Sequence, residues 1–142
     1  MKKQILLTIL FSFFLTGIMA QNITKGVTLS VKIKGISGNK GKMMVALYNT
    51  KESFLKEPFK ASIGNISDQE SSVKFKNVPP GIYAISCYYD QNLNQQLDVS
   101  GMGIPKEQTG ASNNAKGFFG PPKFDDASFE VKEKDQLLII DL

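Results

Sequence analysis

Asp90, Asn92, Asn94 and Asp98 place side-chain oxygens at alternate positions of one polar stretch, Asp90-Gln91-Asn92-Leu93-Asn94-Gln95-Gln96-Leu97-Asp98. Counted from Asp90, these residues stand at positions 1, 3, 5 and 9 of a loop suited to a hard cation, and the Gln96 carbonyl stands at position 7. Calcium takes about six to eight oxygen ligands, and a single loop supplies them at alternate residues. The local set is short of that number, so a remote carboxylate must complete it. Glu107 is assigned that role, with Asp125 and Asp126 as further candidates. The loop is not an EF-hand, because Gln95 replaces the glycine of the sixth position and Gly101 replaces the glutamate of the twelfth. A metal-free turn also explains the composition, since Asn and Asp side chains bond their own backbone. Both readings stand at this point, and the candidate metal set is Asp90, Asn92, Asn94, Gln96, Asp98 and Glu107.

Composition removes other chemistries. The chain has no His and no Arg. Without His, Ser-His-Asp and Cys-His catalysis and imidazole metal sites are excluded. Without Arg, the bidentate fork favoured for phosphate and base recognition is missing, and no nucleic-acid partner is expected. The single Cys87 has no partner for an internal disulfide and reads as a small buried hydrophobe. Ser112-Asn113-Asn114 reads as turn chemistry rather than a nucleophile, because no suitable base accompanies it. Tyr88, Tyr89, Phe118 and Phe119 offer two roles. They can stack a flat ligand, or, as expected here, pin the long loop to the body of the protein.

These groups must be held by the surrounding elements. The first twenty residues have a basic start at Lys2-Lys3, an apolar run over Ile5–Phe14 and a small residue at Ala20. This is the pattern of a cleaved secretory leader, too short for a spanning helix. It divides the chain into a leader, 1–20, and one domain, 21–142, in the periplasm or outside the cell. No membrane span is expected after the leader. The whole chain carries a formal charge of +4, of which Lys2 and Lys3 contribute two, so the domain itself is nearly neutral.

Within the domain, Val27, Leu29, Val31 and Ile33 alternate with polar residues, the period of a half-buried strand. Lys42–Tyr48 returns as a second, more buried strand after a Gly-rich turn. A short helical turn is expected from Thr50, ending before Pro58. Ala61–Ile66 reads as a weak edge strand and Ser71–Lys76 as a further strand. Pro80-Gly81 predicts a type II turn with positive φ at Gly81. In the strand that follows, Tyr83, Ile85, Cys87 and Tyr89 share one face. Residues 90–122 read as one long loop without secondary structure, and Ala127–Lys132 and Leu137–Leu142 as the last strands. About seven short strands predict an all-β fold, a single antiparallel Greek-key β-sandwich with one long ordered loop.

The order of motifs resembles the family catalogued as domain of unknown function 2141. The resemblance rests on Phe75, Val78-Pro79-Pro80-Gly81-Ile82-Tyr83, Asp90-x-Asn92-x-Asn94-x-x-Leu97-Asp98, Gly103-Ile104-Pro105, Ser112-Asn113-Asn114-Ala115 and Gly120-Pro121-Pro122-x-Phe124-x-Asp126-Ala127. It implies an exported bacterial β-sandwich without an established activity. The Val-Pro-Pro-Gly-x-Tyr stretch also resembles transthyretin-like and carboxypeptidase-regulatory-like sandwiches. The chain departs from the family pattern at Tyr89, where His is common, and within the Asp-Asn-Asn stretch, where Gly is usual and Leu93 and Gln95 are the intervening residues here.

Together these readings predict a non-enzymatic, monomeric exported protein that binds a ligand or envelope partner at its loop end, with calcium as a candidate cofactor. A glycosidase-like hydrolase using Asp98 with Glu107, and a purely structural envelope protein, are the alternatives.

Overall fold

A computed structural model describes residues 25–142, so the leader expected over 1–20 lies outside the described residues. Nine strands form in chain order. They are β1 (Val27–Lys34), β2 (Lys42–Tyr48), β3 (Lys60–Gly64), β4 (Ile66–Ser67), β5 (Glu70–Val78), β6 (Gly81–Asp90), β7 (Thr109–Ala111), β8 (Phe129–Val131) and β9 (Gln136–Asp141). One sheet has the order β4-β5-β1-β9 and the other β3-β2-β6-β7, with β8 also paired to β6. The two sheets make the all-β sandwich that the alternating pattern predicts.

The alternation decides which face goes inward. Val27, Leu29, Val31 and Ile33 of β1 are buried, as are Met43, Val45 and Leu47 of β2 and Tyr83, Ile85, Cys87 and Tyr89 of β6. They join Val73, Phe75, Val78, Val131 and Ile140 in one core between the sheets. Burial pushes the Cys87 thiol up to about 12, which keeps it in the neutral, unreactive form.

A second, smaller cluster covers the outer face of the second sheet. It consists of Tyr48, Phe54, Ala84, Ala111 and Ala127. Phe54 packs edge-on against both Tyr48 and Phe124, at centroid distances of 5.2 and 5.7 Å. Phe54 lies in the segment expected to make a helical turn. Turns do form there, with the Lys56 and Glu57 N–H groups both donating to the Ser53 carbonyl, but no helix is completed before Pro58.

Four expectations are corrected. The described residues hold two more strands than the seven anticipated, because the stretch read as one edge strand divides at Asn65 into β3 and β4, which belong to different sheets, and because β7 forms within the stretch read as a loop. The fold is not wholly antiparallel, since β9 runs parallel to β1, with Val31 opposite Leu138 and Ile33 opposite Ile140. Gly81 does not take positive φ but opens β6 opposite Val131, and the left-handed residue before the turn is Asn77, at φ 54°. Asn tolerates that region better than most side chains. Finally, residues 90–122 are not one unstructured loop. β7 and a 3-10 turn over Ser112–Asn114 interrupt them, and a short helix α1 (Phe124–Ala127) follows.

Candidate functional site

β6 delivers Asp90 to the end of the sandwich. Asp90 is the last residue of the strand and lies opposite Lys42. The connection between β1 and β2 passes so close that a side chain at Gly41 (φ 85°) would collide with the Asp90 carbonyl oxygen. Glycine is therefore required there on two counts, positive φ and close approach. Asp90 is 1% exposed. Its Oδ1 accepts the Asn94 N–H at 3.1 Å and its Oδ2 the Gln95 N–H at 2.9 Å. Both oxygens of a buried carboxylate are thus engaged by the loop that follows it, which is how such a charge is tolerated.

The remaining polar residues extend the same arrangement. Asn92 Oδ1 accepts the Asn94 N–H at 3.2 Å, and Asn94 Oδ1 accepts the Gln96 N–H at 2.9 Å. The side-chain amides of Asn92 and Asn94 donate to Asp98 Oδ2 and Oδ1, at 2.7 and 3.1 Å. Glu107 spans the loop from the other side, its Oε1 accepting the Gln91 N–H at 3.3 Å and its Oε2 the Asp98 N–H at 3.1 Å. Leu93 and Gln95, the intervening residues of the stretch, adopt left-handed φ of 64° and 60°. The turn forms without glycine because the Asx hydrogen bonds offset a cost of about 1–2 kcal/mol for each left-handed residue.

The loop is closed by a small hairpin. The Lys106 N–H donates to the Asp98 carbonyl at 2.8 Å, Val99 bridges Pro105, and the Ser100 N–H donates to the Ile104 carbonyl at 2.8 Å. Gly103 turns the tip at φ 76°. Gln108 then ties the base to the neighbouring loop, accepting the Ser37 N–H at 2.9 Å and donating from Nε2 to the Gly35 carbonyl at 2.8 Å. The Tyr89 N–H donates to the Gln108 carbonyl at 2.9 Å, which leads the chain into β7. Burial pushes the Tyr88 hydroxyl pKa up, and the charges of Asp90 and Glu107 push it the same way.

Asp90, Asn92, Asn94, Gln96, Asp98 and Glu107 therefore belong to one hydrogen-bonded unit. Among the described residues, no group of three or more Asp, Glu, His or Cys side chains is placed to hold a metal ion, so any cation here would draw on the Asn side chains and the Gln96 carbonyl as well. Asp125 and Asp126 lie outside the unit. Asp125 pairs with Lys51 at 2.5 Å, and Asp126 lines a notch beside Phe118 and Phe119.

A family model described as "Uncharacterized protein conserved in bacteria (DUF2141)" matches residues 31–138. The chain belongs to this family. The match includes β2 to β8 and the whole of the Asp90 unit, and begins and ends within β1 and β9. No curated protein matches the chain, and no solved structure does. The Tyr89 ring enters the core, and its hydroxyl finds no hydrogen-bond partner among the described residues.

Two features escape sequence reasoning. Ser112 is fully buried, and its hydroxyl accepts the Ile85 N–H at 2.9 Å while donating to the Ala127 carbonyl. The turn expected at Ser112-Asn113-Asn114 does form, but nothing in its composition marks the serine as buried. The aromatic expectation is half overturned as well. Tyr89 packs inward as anticipated, but Phe118 and Phe119 pin nothing and are 92% and 96% exposed. Their flanking glycines are the one signal that pointed outward.

Proposed function

We propose that this DUF2141 protein is an exported, non-enzymatic binding module that recognises a ligand or envelope partner through the excursion following Asp90, with calcium bracing that excursion when present. The observation that carries this reading is the contrast between the root and the tip of the excursion. Asp90 is buried and bonded through both oxygens, whereas Leu93, Val99, Met102 and Ile104 are exposed, Met102 to 84%. A rigid root that displays apolar side chains suits recognition, because little ordering entropy remains to be lost on binding. The apolar start of the chain, ending in Ala20, supports export.

Calcium fits the oxygen chemistry of Asp90, Asn92, Asn94, Asp98, Glu107 and the Gln96 carbonyl. Binding would require the amides of Asn92 and Asn94 to turn their oxygens, rather than their nitrogens, toward Asp98. That rearrangement exchanges four hydrogen bonds for metal contacts, the two amide bonds to Asp98 and the two that the Asn92 and Asn94 oxygens accept from backbone N–H groups, and needs no change of strand. No observation favours the hydrolase. Glu107 already accepts two backbone N–H groups, and Asp98 accepts two side-chain amides.

The recognition surface is tested by placing a photoreactive residue at position 102 and, as a control, at Ser62 on edge strand β3. Adducts with one discrete partner are expected from position 102 only. Equal labelling from both positions, or none from either, would remove the recognition reading. Calcium bracing is tested separately by thermal unfolding. At ~1 mM calcium and a dissociation constant of ~0.1 mM, linkage adds about 1.4 kcal/mol. The midpoint should rise by roughly 4–6 °C and return on chelation. An unchanged midpoint in both conditions would eliminate calcium.

A further inference from the structure

The segment Lys116-Gly117-Phe118-Phe119-Gly120-Pro121-Pro122-Lys123 folds tightly back on itself, so that a side chain on Gly117 would collide with the carbonyl of Gly120. The two phenylalanines form the apex. Their rings meet edge to face at 4.6 Å between centroids, and each is more than nine-tenths exposed. Isolated exposed hydrophobes are ordinary, but a pair this exposed on a constrained turn is an unmet apolar surface.

We infer that this apex is a membrane wedge, which inserts both rings into the interfacial layer of an anionic lipid surface while Lys116 and Lys123 rest on the headgroups. This goes beyond the proposed function and uses a different loop. Three observations select lipid over protein as the occupant. Two aromatic rings bury about 150–250 Å² each, roughly half of the ~800 Å² that each partner contributes to a stable protein interface. A bilayer needs no complementary pocket, so a small convex apex suffices.

Charge at the neck also suits an anionic surface. Lys116 and Lys123 bracket the apolar residues, and of the acids nearby Asp126 shares their notch while Asp125 is already paired with Lys51. The balance of these five side chains is one positive charge. Lastly, Pro121 and Pro122 have no N–H, which reduces the number of backbone donors that must leave water as the apex enters.

The test uses the chain from Gln21 onward, which contains all residues of both apolar clusters, and vesicles of phosphatidylcholine with or without phosphatidylglycerol. Cosedimentation is expected with the mixed vesicles and is weakened by salt. F118S/F119S should lower the partition coefficient about tenfold or more, with no change in melting temperature. K116Q/K123Q should lower it about fivefold or more on mixed vesicles only. The chain has no Trp, so Phe119→Trp gives a single reporter whose emission should shift to the blue on vesicles and be quenched by brominated lipid. Absence of wild-type sedimentation, sedimentation unaffected by F118S/F119S, or an unshifted reporter would each overturn the inference. Crosslinking from position 102 is read independently of all three.

Discussion

Asp90→Ala should lower the free energy of unfolding by about 3 kcal/mol. The carboxylate accepts two N–H groups, from Asn94 and Gln95, and hydrogen bonds to a charged acceptor contribute roughly 1.5–3 kcal/mol each. Two effects hold the loss to the lower end of the sum. The loop is otherwise exposed, so water reaches the released N–H groups. The left-handed residues Leu93 and Gln95 can also relax once the bonds that hold them are gone, which returns part of about 1–2 kcal/mol each. A single domain of this size is stable by roughly 6–17 kcal/mol, so the variant should still fold. Urea unfolding should show an earlier midpoint with an unchanged slope, because the surface exposed on unfolding is the same. Any calcium-dependent rise in melting temperature should vanish in this variant. A loss below about 1 kcal/mol would mean that the Asp90 bonds do not organise the excursion.

The parts of the fold that were legible in the sequence are those in which one face is buried and the other is not. β1 is the clearest case, since Val27, Leu29, Val31 and Ile33 alternate with polar residues and all four are buried. β7 left no such trace. Thr109-Gly110-Ala111 lacks apolar alternation, and it forms a strand because β6 offers an edge and Gly110 has no side chain to strike Leu142. The parallel pairing of β9 with β1 was equally hidden. A strand pattern records which residues face inward, not which neighbour the strand finds.

The candidate site divides along the same line. The alternate Asp and Asn residues after β6 encode their own Asx turns, so that part of the Asp90 unit is legible in local chemistry, whereas the bonds of Glu107 to the Gln91 and Asp98 N–H groups come from outside the stretch and left no local trace. The turn forms without glycine at Leu93 and Gln95, because several hydrogen bonds together outweigh a local backbone preference. The exposure of Phe118 and Phe119 runs against the general tendency of aromatic residues. Aromatic rings are normally buried for their area, and here the tight turn at Gly117 leaves them nothing to pack against.

Ser112→Ala should destabilise the protein by about 3–4 kcal/mol, more than its position among turn-forming residues suggests. β6 has β7 opposite Ser86–Tyr88 and β8 opposite Gly81–Tyr83. Between those two short pairings, the Ser112 hydroxyl takes the place of a strand partner by accepting the Ile85 N–H, and it donates onward to the carbonyl of Ala127. Alanine leaves both backbone groups buried without partners, at about 1–3 kcal/mol each. Ser112 is fully buried, so bulk solvent does not reach the two released groups. Asn113→Ala on the same turn is the comparison. Asn113 donates to the Asp126 and Ser128 carbonyls from an exposed position, where solvent can substitute, so its loss should be near 1 kcal/mol. Hydrogen exchange should also show the Ile85 amide losing protection in the Ser112 variant, while the Cys87 amide, two residues along the strand, keeps it. Equal effects of the two substitutions would indicate that the turn as a whole, rather than the buried hydroxyl, joins β6 to the helix and last strands.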